Sequence, residues 1–327
     1  MTEPENGRFP VTVVIPVRNE ISSIGPLLTE VFSQRPAAVV VVDAGSTDGT
    51  RQALRTMQEA YAELRVIEVD KAYPGEGRNL GSAAAETPWV VYIDGGTHPH
   101  AGWLAALWEA VAGTEHAVAY GYYVSEIKSL VARWFTLAVL PPARAVPGGL
   151  MRNHFIACSI VRKAAWETIG GFPATRAAED RIFMLKLVTM SVVEAPDAVI
   201  TWIGPQSWGS LWRRQVMLAE HSARAGRERD WHWPTLRYWL LGAMVLLLLP
   251  VWVSMPMVVA GWLLRTERRL QRHRLEADLR ERHRGDRLGA GAVLLVTDLA
   301  MYVGWARRWL CRDLAPIAVA PSPRTVP

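Results

Sequence analysis

Short apolar runs alternate with amphipathic stretches through the first two-thirds of the chain. Residues 11–17 form a β-branched run that predicts a buried strand. Residues 20–35 follow with helical spacing, placing Ile21, Ile24, Leu27, Leu28 and Val31 on one face. Residues 38–42 predict a second strand ending on Asp43, and the turn at 45–50 leads into a helix at 51–62. A third strand is predicted at 64–69, a helix start at 79–85 and a fourth strand at 89–93, ending on Asp94. This alternation predicts an α/β fold, a mostly parallel sheet with helices on both faces. Ligands in such sheets sit beyond the carboxyl ends of the strands, where Asp43 and Asp94 both stand.

The pattern continues with a helix at 103–112, a strand at 117–122, an apolar stretch at 129–139, a Gly/Pro-containing loop at 143–152 and a strand at 156–161. A helix at 164–169 closes on Gly170-Gly171, a helix follows at 179–189, strand-like sequence at 192–200 and an amphipathic stretch at 211–225. Beyond it the character changes. Residues 239–264 are almost free of charge; as one helix they would be about 39 Å long against a hydrocarbon core of about 30 Å. Pro250 and Pro256 favour a break within that run. A second apolar run at 288–305 contains Asp298, which is expected to face protein or the membrane interface. Between the runs, residues 265–287 carry nine Arg and five acids. Two spanning runs would put this basic segment outside, against the positive-inside tendency, whereas a re-entrant or interfacial first hairpin keeps it in the cytosol beside anionic lipid. The chain therefore divides into a polar tail at 1–10, an α/β domain at 11–230, a membrane-associated helical region at 231–310 and an unstructured tail at 311–327.

Composition narrows the classes. The net charge is +5, and only four of the 36 basic residues are Lys. The basic residues concentrate beside the apolar C-terminal runs and no nucleic-acid-binding motif is present, so membrane lipids and phosphate-bearing substrates are the expected partners, and nucleic acid is not. Cys158 and Cys311 lack metal-site spacing, which suits a reduced cytosolic setting. Residues 1–10 do not read as a signal peptide, so the α/β domain is expected on the cytoplasmic side of the cell membrane. No G-x-G-x-x-G follows the first strand, which speaks against a dehydrogenase, and the Gly-rich basic loop of a nucleotidyltransferase is missing there too.

The chemistry lies in the motifs. At the end of the second strand Asp43 can accept hydrogen bonds from a nucleobase or ribose, or it can cap the following turn. The segment Ile15-Pro16-Val17-Arg18-Asn19-Glu20, followed by Val42-Asp43-Ala44-Gly45-Ser46-Thr47-Asp48-Gly49-Thr50, resembles the opening of glycosyltransferase family 2, although Ala44 stands where a second Asp is common. Gly77-Arg78-Asn79-Leu80-Gly81, Gly170-Gly171-Phe172-Pro173 and Ala178-Glu179-Asp180 are similar to later elements of that family. The resemblance implies a GT-A fold and an inverting transfer of sugar from a UDP- or GDP-sugar to an acceptor, including a lipid-linked one, at the membrane. It implies donor binding by Pro16, Asn19, Glu20, Asp43, Arg78 and Asp94, and by Arg213 and Arg214 in a later basic element. It makes Asp180 the general base, with Glu179, His154 and Ser159 on the acceptor side. The family's D-x-D triplet reads Asp94-Gly95-Gly96 here, so Mg²⁺ or Mn²⁺ would keep Asp94 as a ligand and lose the last carboxylate. His98 is a candidate replacement ligand, or simply a turn histidine. The incomplete triplet also leaves open a nucleotide-sugar-binding membrane protein without catalysis.

Overall fold

The computed structural model describes residues 7–175 and 178–310, in two compact units: Met1–Glu126 with Pro141–Gly204, and Ile127–Leu140 with Pro205–Pro327. Cys311 and the tail expected at 311–327 lie outside the described residues. The second unit takes in the apolar stretch at 129–139 and the amphipathic stretch at 211–225, both of which the sequence pattern assigns to the α/β domain.

The first unit is built on an eight-stranded sheet. Its strands are β1 (Phe9–Val17), β2 (Pro36–Ala44), β3 (Leu64–Val69), β4 (Trp89–Tyr92), β5 (Thr97–Pro99), β6 (Val118–Ser125), β9 (Ser159–Arg162) and β10 (Val192–Trp202), in the order β3-β2-β1-β4-β9-β6-β10-β5. The half from β3 to β4 is parallel, as the alternation predicts. The other half is mixed, because β9 runs antiparallel to both β4 and β6 while β6 and β10 are parallel. A short hairpin, β7 (Arg144–Val146) with β8 (Gly149–Met151), forms a second sheet within the predicted loop. Val14, Val42, Val90 and Tyr92 from the strands pack with Phe172 and Phe183 in one core.

The connecting helices are α1 (Ile24–Ser33), α2 (Thr50–Ala60), α3 (Pro74–Ala84), α4 (Trp103–Val111), α6 (Lys163–Thr168) and α7 (Glu179–Leu187). Two begin elsewhere than the apolar spacing indicates. α1 starts at Ile24 and not at Glu20, because Asn19 takes a positive φ of 59° and Ser23 Oγ donates to Glu20 Oε2 at 2.6 Å, so these residues shape a loop. α3 starts a turn earlier than residue 79, with Pro74 in its first turn and Glu76 Oε2 accepting from the Tyr73 amide at 2.7 Å. Its interior glycines let it lie close on the sheet: a Cβ on Gly81 would stand 2.3 Å from Val14 Cγ1.

The second unit is helical: α5 (Leu130–Val139), α8 (Trp208–Arg224), α9 (Glu228–Leu248), α10 (Val251–Leu270), α11 (Ala277–Arg280) and α12 (Asp286–Leu310). The apolar run at 239–264 is split between α9 and α10, which meet at Leu249-Pro250. Arg133 on α5 is buried and grips the start of α12, donating from Nη2 to Asp286 Oδ2 at 2.9 Å and from Nη1 to the Asp278 carbonyl at 3.0 Å. Among the described residues, α12 is the one helix that length and composition alone would allow to cross a membrane, and half of its apolar window is buried within the protein.

Candidate active site

The loops at the carboxyl ends of β1 and β2 are laced together. The Asn19 amide donates to Ser46 Oγ and its Oδ1 accepts from the Thr47 amide, both at 2.8 Å. The Glu20 amide donates to Thr50 Oγ1 at 2.8 Å, and the Ile21 amide to Asp48 Oδ2 at 3.1 Å. Asn19 is therefore a staple between two loops, which suits its positive φ, since a short amide side chain tolerates that region. Asp43 is fully buried; it accepts from the Ser46 amide at 3.2 Å and from Arg51 Nε at 2.9 Å. The capping role expected of Asp43 is thus realised, together with an ion pair to Arg51 that motif reading did not single out.

The centre of the site is a buried guanidinium. Arg78, only 3% exposed, points from α3 between the end of β4 and the start of α7. Its Nη2 donates to Asp94 Oδ1 at 2.5 Å, and its Nη1 lies 3.6 Å from Glu179 Oε1. Its guanidinium carbon stands 5.4 Å from the centre of the Phe172 ring, in cation–π range. Burial opposes its charge, but Asp94 and Glu179 more than offset that and raise its pKa. Glu179 behaves differently. Burial pushes its carboxyl up to about 8 despite the pull of Arg78, with Asp180 adding to the rise. The distances explain the asymmetry: Arg78 gives its short hydrogen bond to Asp94 and meets Glu179 only beyond hydrogen-bond range. Asp180, the next residue, is less buried than Glu179 and accepts from the Arg181 amide at 2.6 Å.

The Gly170-Gly171-Phe172 turn is fixed by Asn79. Its Nδ2 donates to the Phe172 carbonyl at 2.8 Å, while its Oδ1 accepts from the Phe172 amide at 2.9 Å and from Trp166 Nε1 at 3.2 Å. Gly171 has φ 68°, and a Cβ there would stand 2.5 Å from Asn79 Oδ1, so both conformation and space demand glycine. Asn79 lies inside the recognised Gly-Arg-Asn motif, yet its role becomes visible only once the turn is seen folded against α3.

The other expected residues have surroundings of their own. Ser159, expected beside the acceptor, is fully buried in β9 and its hydroxyl donates to the Ile156 carbonyl at 2.7 Å. It is a sheet residue whose hydroxyl is taken up by the backbone. His154 stacks on Tyr120 with ring centres 4.3 Å apart, and its Nε2 is 3.1 Å from Glu194 Oε1. His98 Nδ1 lies 3.1 Å from both Glu30 carboxylate oxygens, so that ring nitrogen is engaged with α1. Pro16 lies under α3, 3.1 Å from where a Cβ on Gly77 would be. The Glu20 side chain lies against Gly95, where a Cβ would stand 3.0 Å from its Cγ. Arg213 and Arg214 stand exposed on α8, in the second unit. No three His, Cys, Asp or Glu side chains cluster as a metal site among the described residues.

A half-parallel sheet with Asp43 and Asp94 at the carboxyl ends of the parallel strands β2 and β4, which flank β1, and an acidic helix start meeting Asp94 across an arginine, defines a GT-A-type α/β domain. Residues 12–168 match the family model described as glycosyl transferase family 2, and this part of the chain is a glycosyltransferase family 2 domain. Two relatives are similar in sequence. The glycosyltransferase AglE of Haloferax volcanii is 36% identical over 109 residues, 32% of this chain and 36% of its own. The pre-mycofactocin glycosyltransferase of Mycobacterium tuberculosis is 37% identical over 98 residues, 30% of this chain and 20% of its own. The chain thus spans little more than a third of the first relative's length and a fifth of the second's. Among solved structures, a mannosyltransferase from Pyrobaculum calidifontis in complex with GDP-Man and Mn²⁺ shares the fold, with a TM-score of 0.59 and 20% identity, over 90% of this chain and 87% of that one.

Proposed function

We propose that this protein transfers a sugar from a nucleoside-diphosphate sugar, UDP- or GDP-linked, to an acceptor hydroxyl, with inversion at the anomeric carbon. The observation that carries this reading is the charge chain Asp94–Arg78–Glu179, which joins the end of β4 to the first turn of α7, where Asp180 is the adjacent and less buried carboxylate. Single displacement needs one base within reach of the acceptor hydroxyl, opposite the leaving diphosphate. Asp180 takes that proton. Asp43 and the laced loops around Asn19 hold the nucleoside end, and Arg78 keeps Asp94 oriented.

A divalent ion fits this site as a guest of the substrate. Asp94 offers the one carboxylate of the triplet and already shares it with Arg78, so diphosphate oxygens and water would supply most ligands. When bound, such an ion would neutralise the diphosphate charge. The chain works at the cytoplasmic face of the cell membrane, a reading supported by the exposed apolar surface of α9 and α10 and the arginines that follow it, and this setting favours a lipid-linked acceptor.

The test is Asp180→Asn, which keeps shape and removes basicity. Donor binding should persist while turnover falls by about 10² to 10⁴. Near-normal turnover, or a product with the donor's anomeric configuration, overturns the assignment. In the same assay, wild-type turnover should require millimolar Mg²⁺ or Mn²⁺, and full activity in excess chelator would remove the ion from the scheme.

A further inference from the structure

Apolar length and apolar exposure point to different parts of the second unit. α12 has the composition of a span, yet half of its apolar window is packed inside the protein. A Cβ on its Gly304 would stand 2.4 Å from the Val216 carbonyl oxygen of α8, so the two backbones touch. α8 carries Arg213, Arg214, Glu220, His221 and Arg224. Were α12 to cross a bilayer, this charged helix would be drawn into hydrocarbon with it, at prohibitive cost.

The exposed apolar surface is on α9 and α10. Fifteen of the large apolar side chains that the described residues leave exposed fall between Tyr238 and Leu264. They are barest at the tip, where Leu247 is 85% and Trp252 78% exposed. The pair is clamped at its base. Arg265 makes two hydrogen bonds to Asp298 of α12, at 2.5 and 2.9 Å, and lies over the Tyr238 ring at 5.2 Å, while Trp239 Nε1 donates to the same carboxylate at 3.1 Å. Beyond the clamp the α9 arm, residues 240–248, is about 13 Å long and the α10 arm, 251–264, about 21 Å. Neither crosses a hydrocarbon core of about 30 Å with ease, but both suit one leaflet. The turn leaves few open backbone groups: the Leu249 amide donates to the Val245 carbonyl at 3.2 Å, and the Val253 and Ser254 amides to Pro250 at 2.9 Å. Where α10 leaves the clamp, Arg268, Arg269, Arg272 and Arg274 follow, with no ion pair among the described residues. Their charge complements anionic headgroups.

We infer that α9 and α10 form a helical hairpin that enters a single leaflet of an anionic membrane, tip first at Leu249-Pro250, while α12 stays in the protein and crosses nothing. This rests on the membrane reading above and gives it a topology.

The experiment uses the full-length chain with Cys158 and Cys311 replaced by Ser, bound to vesicles of phosphatidylcholine with or without phosphatidylglycerol. Single cysteines are placed by Gln271→Cys, Leu310→Cys and Trp252→Cys and labelled with a membrane-impermeant maleimide. Expected are sedimentation with the anionic vesicles, labelling of both Gln271→Cys and Leu310→Cys by reagent added outside, and protection of Trp252→Cys. Arg268, Arg272 and Arg274 changed together to Gln should weaken anionic-vesicle binding by roughly a hundredfold. Should Leu310→Cys react only with reagent trapped inside, α12 spans and the hairpin is wrong while the membrane reading survives. Should the chain remain in the supernatant, or should Trp252→Cys be protected without lipid in a dimer, both readings fail.

Discussion

Both units bury an arginine against carboxylates, Arg78 in the first and Arg133 in the second, but only the second leaves a dense apolar surface bare. The first buries an arginine, Arg78, and answers it with Asp94, Glu179 and an aromatic face. The second leaves leucines and tryptophans of α9 and α10 bare. In a folded chain a buried charge is kept only where specific partners meet it, so its neighbours define a site. Exposed apolar side chains in such density await an environment, so they define a surface. The lesson is that Arg78 and Leu247, each out of place by the ordinary rule, are the most informative residues of their units.

Changing each in turn tests the contrast. Arg78→Met should remove about 2 to 4 kcal/mol of stability, because it takes the short charge-assisted hydrogen bond from Asp94 and the cation from the Phe172 ring; a urea melt reads this, and a loss below about 1 kcal/mol would mean that the buried charge is not structural. Asp43→Ala strips the Ser46 turn and Arg51 of their acceptor, and about 1 to 3 kcal/mol should go with it, along with nucleotide affinity by calorimetry. Unchanged affinity in the folded variant would confine Asp43 to its capping role.

Glu179 gives a pH dependence. Its pKa rises from the ordinary 4.5 to about 8 in the folded protein, so the native state holds a proton there that the unfolded state releases. That stabilisation is complete below about pH 4.5 and is lost as pH climbs through 8. Glu179→Gln imitates the protonated form, so its melting temperature should fall less than wild type between pH 5 and pH 8.5. Parallel curves would show that Glu179 is already ionised. The smallest effect belongs to the second unit: Leu247→Glu in detergent should shift stability by less than about 0.5 kcal/mol, since nothing in the protein packs on that side chain. A larger loss would mean that Leu247 has a protein partner.

Much of the first unit is legible in sequence because parallel strands buried on both faces read as continuous β-branched runs: β1, β2 and β4 are found within a few residues of their predicted places, and the edge strand at 64–69 is found at its predicted bounds. What periodicity misses is set by polar side chains acting over distance. Asn19 and Ser23 delay α1, and Asn79 reaches across 93 residues to Phe172. Ser159 shows the reverse, a polar residue that the resemblance puts on the acceptor side and the sheet buries. In the second unit hydropathy identifies the apolar segments but not their neighbours, which is why α12 and the α9–α10 pair look alike in sequence and differ in exposure.

The anchoring of the Gly170–Phe172 turn by Asn79 has a mechanical consequence. One amide grips both the donor and the acceptor of the Phe172 peptide unit and the Trp166 indole, so α3 and the turn that leads toward α7 share a common chassis. Relative motion of α3 and the turn would have to break these three hydrogen bonds together, so the spacing between them works as a fixed gauge.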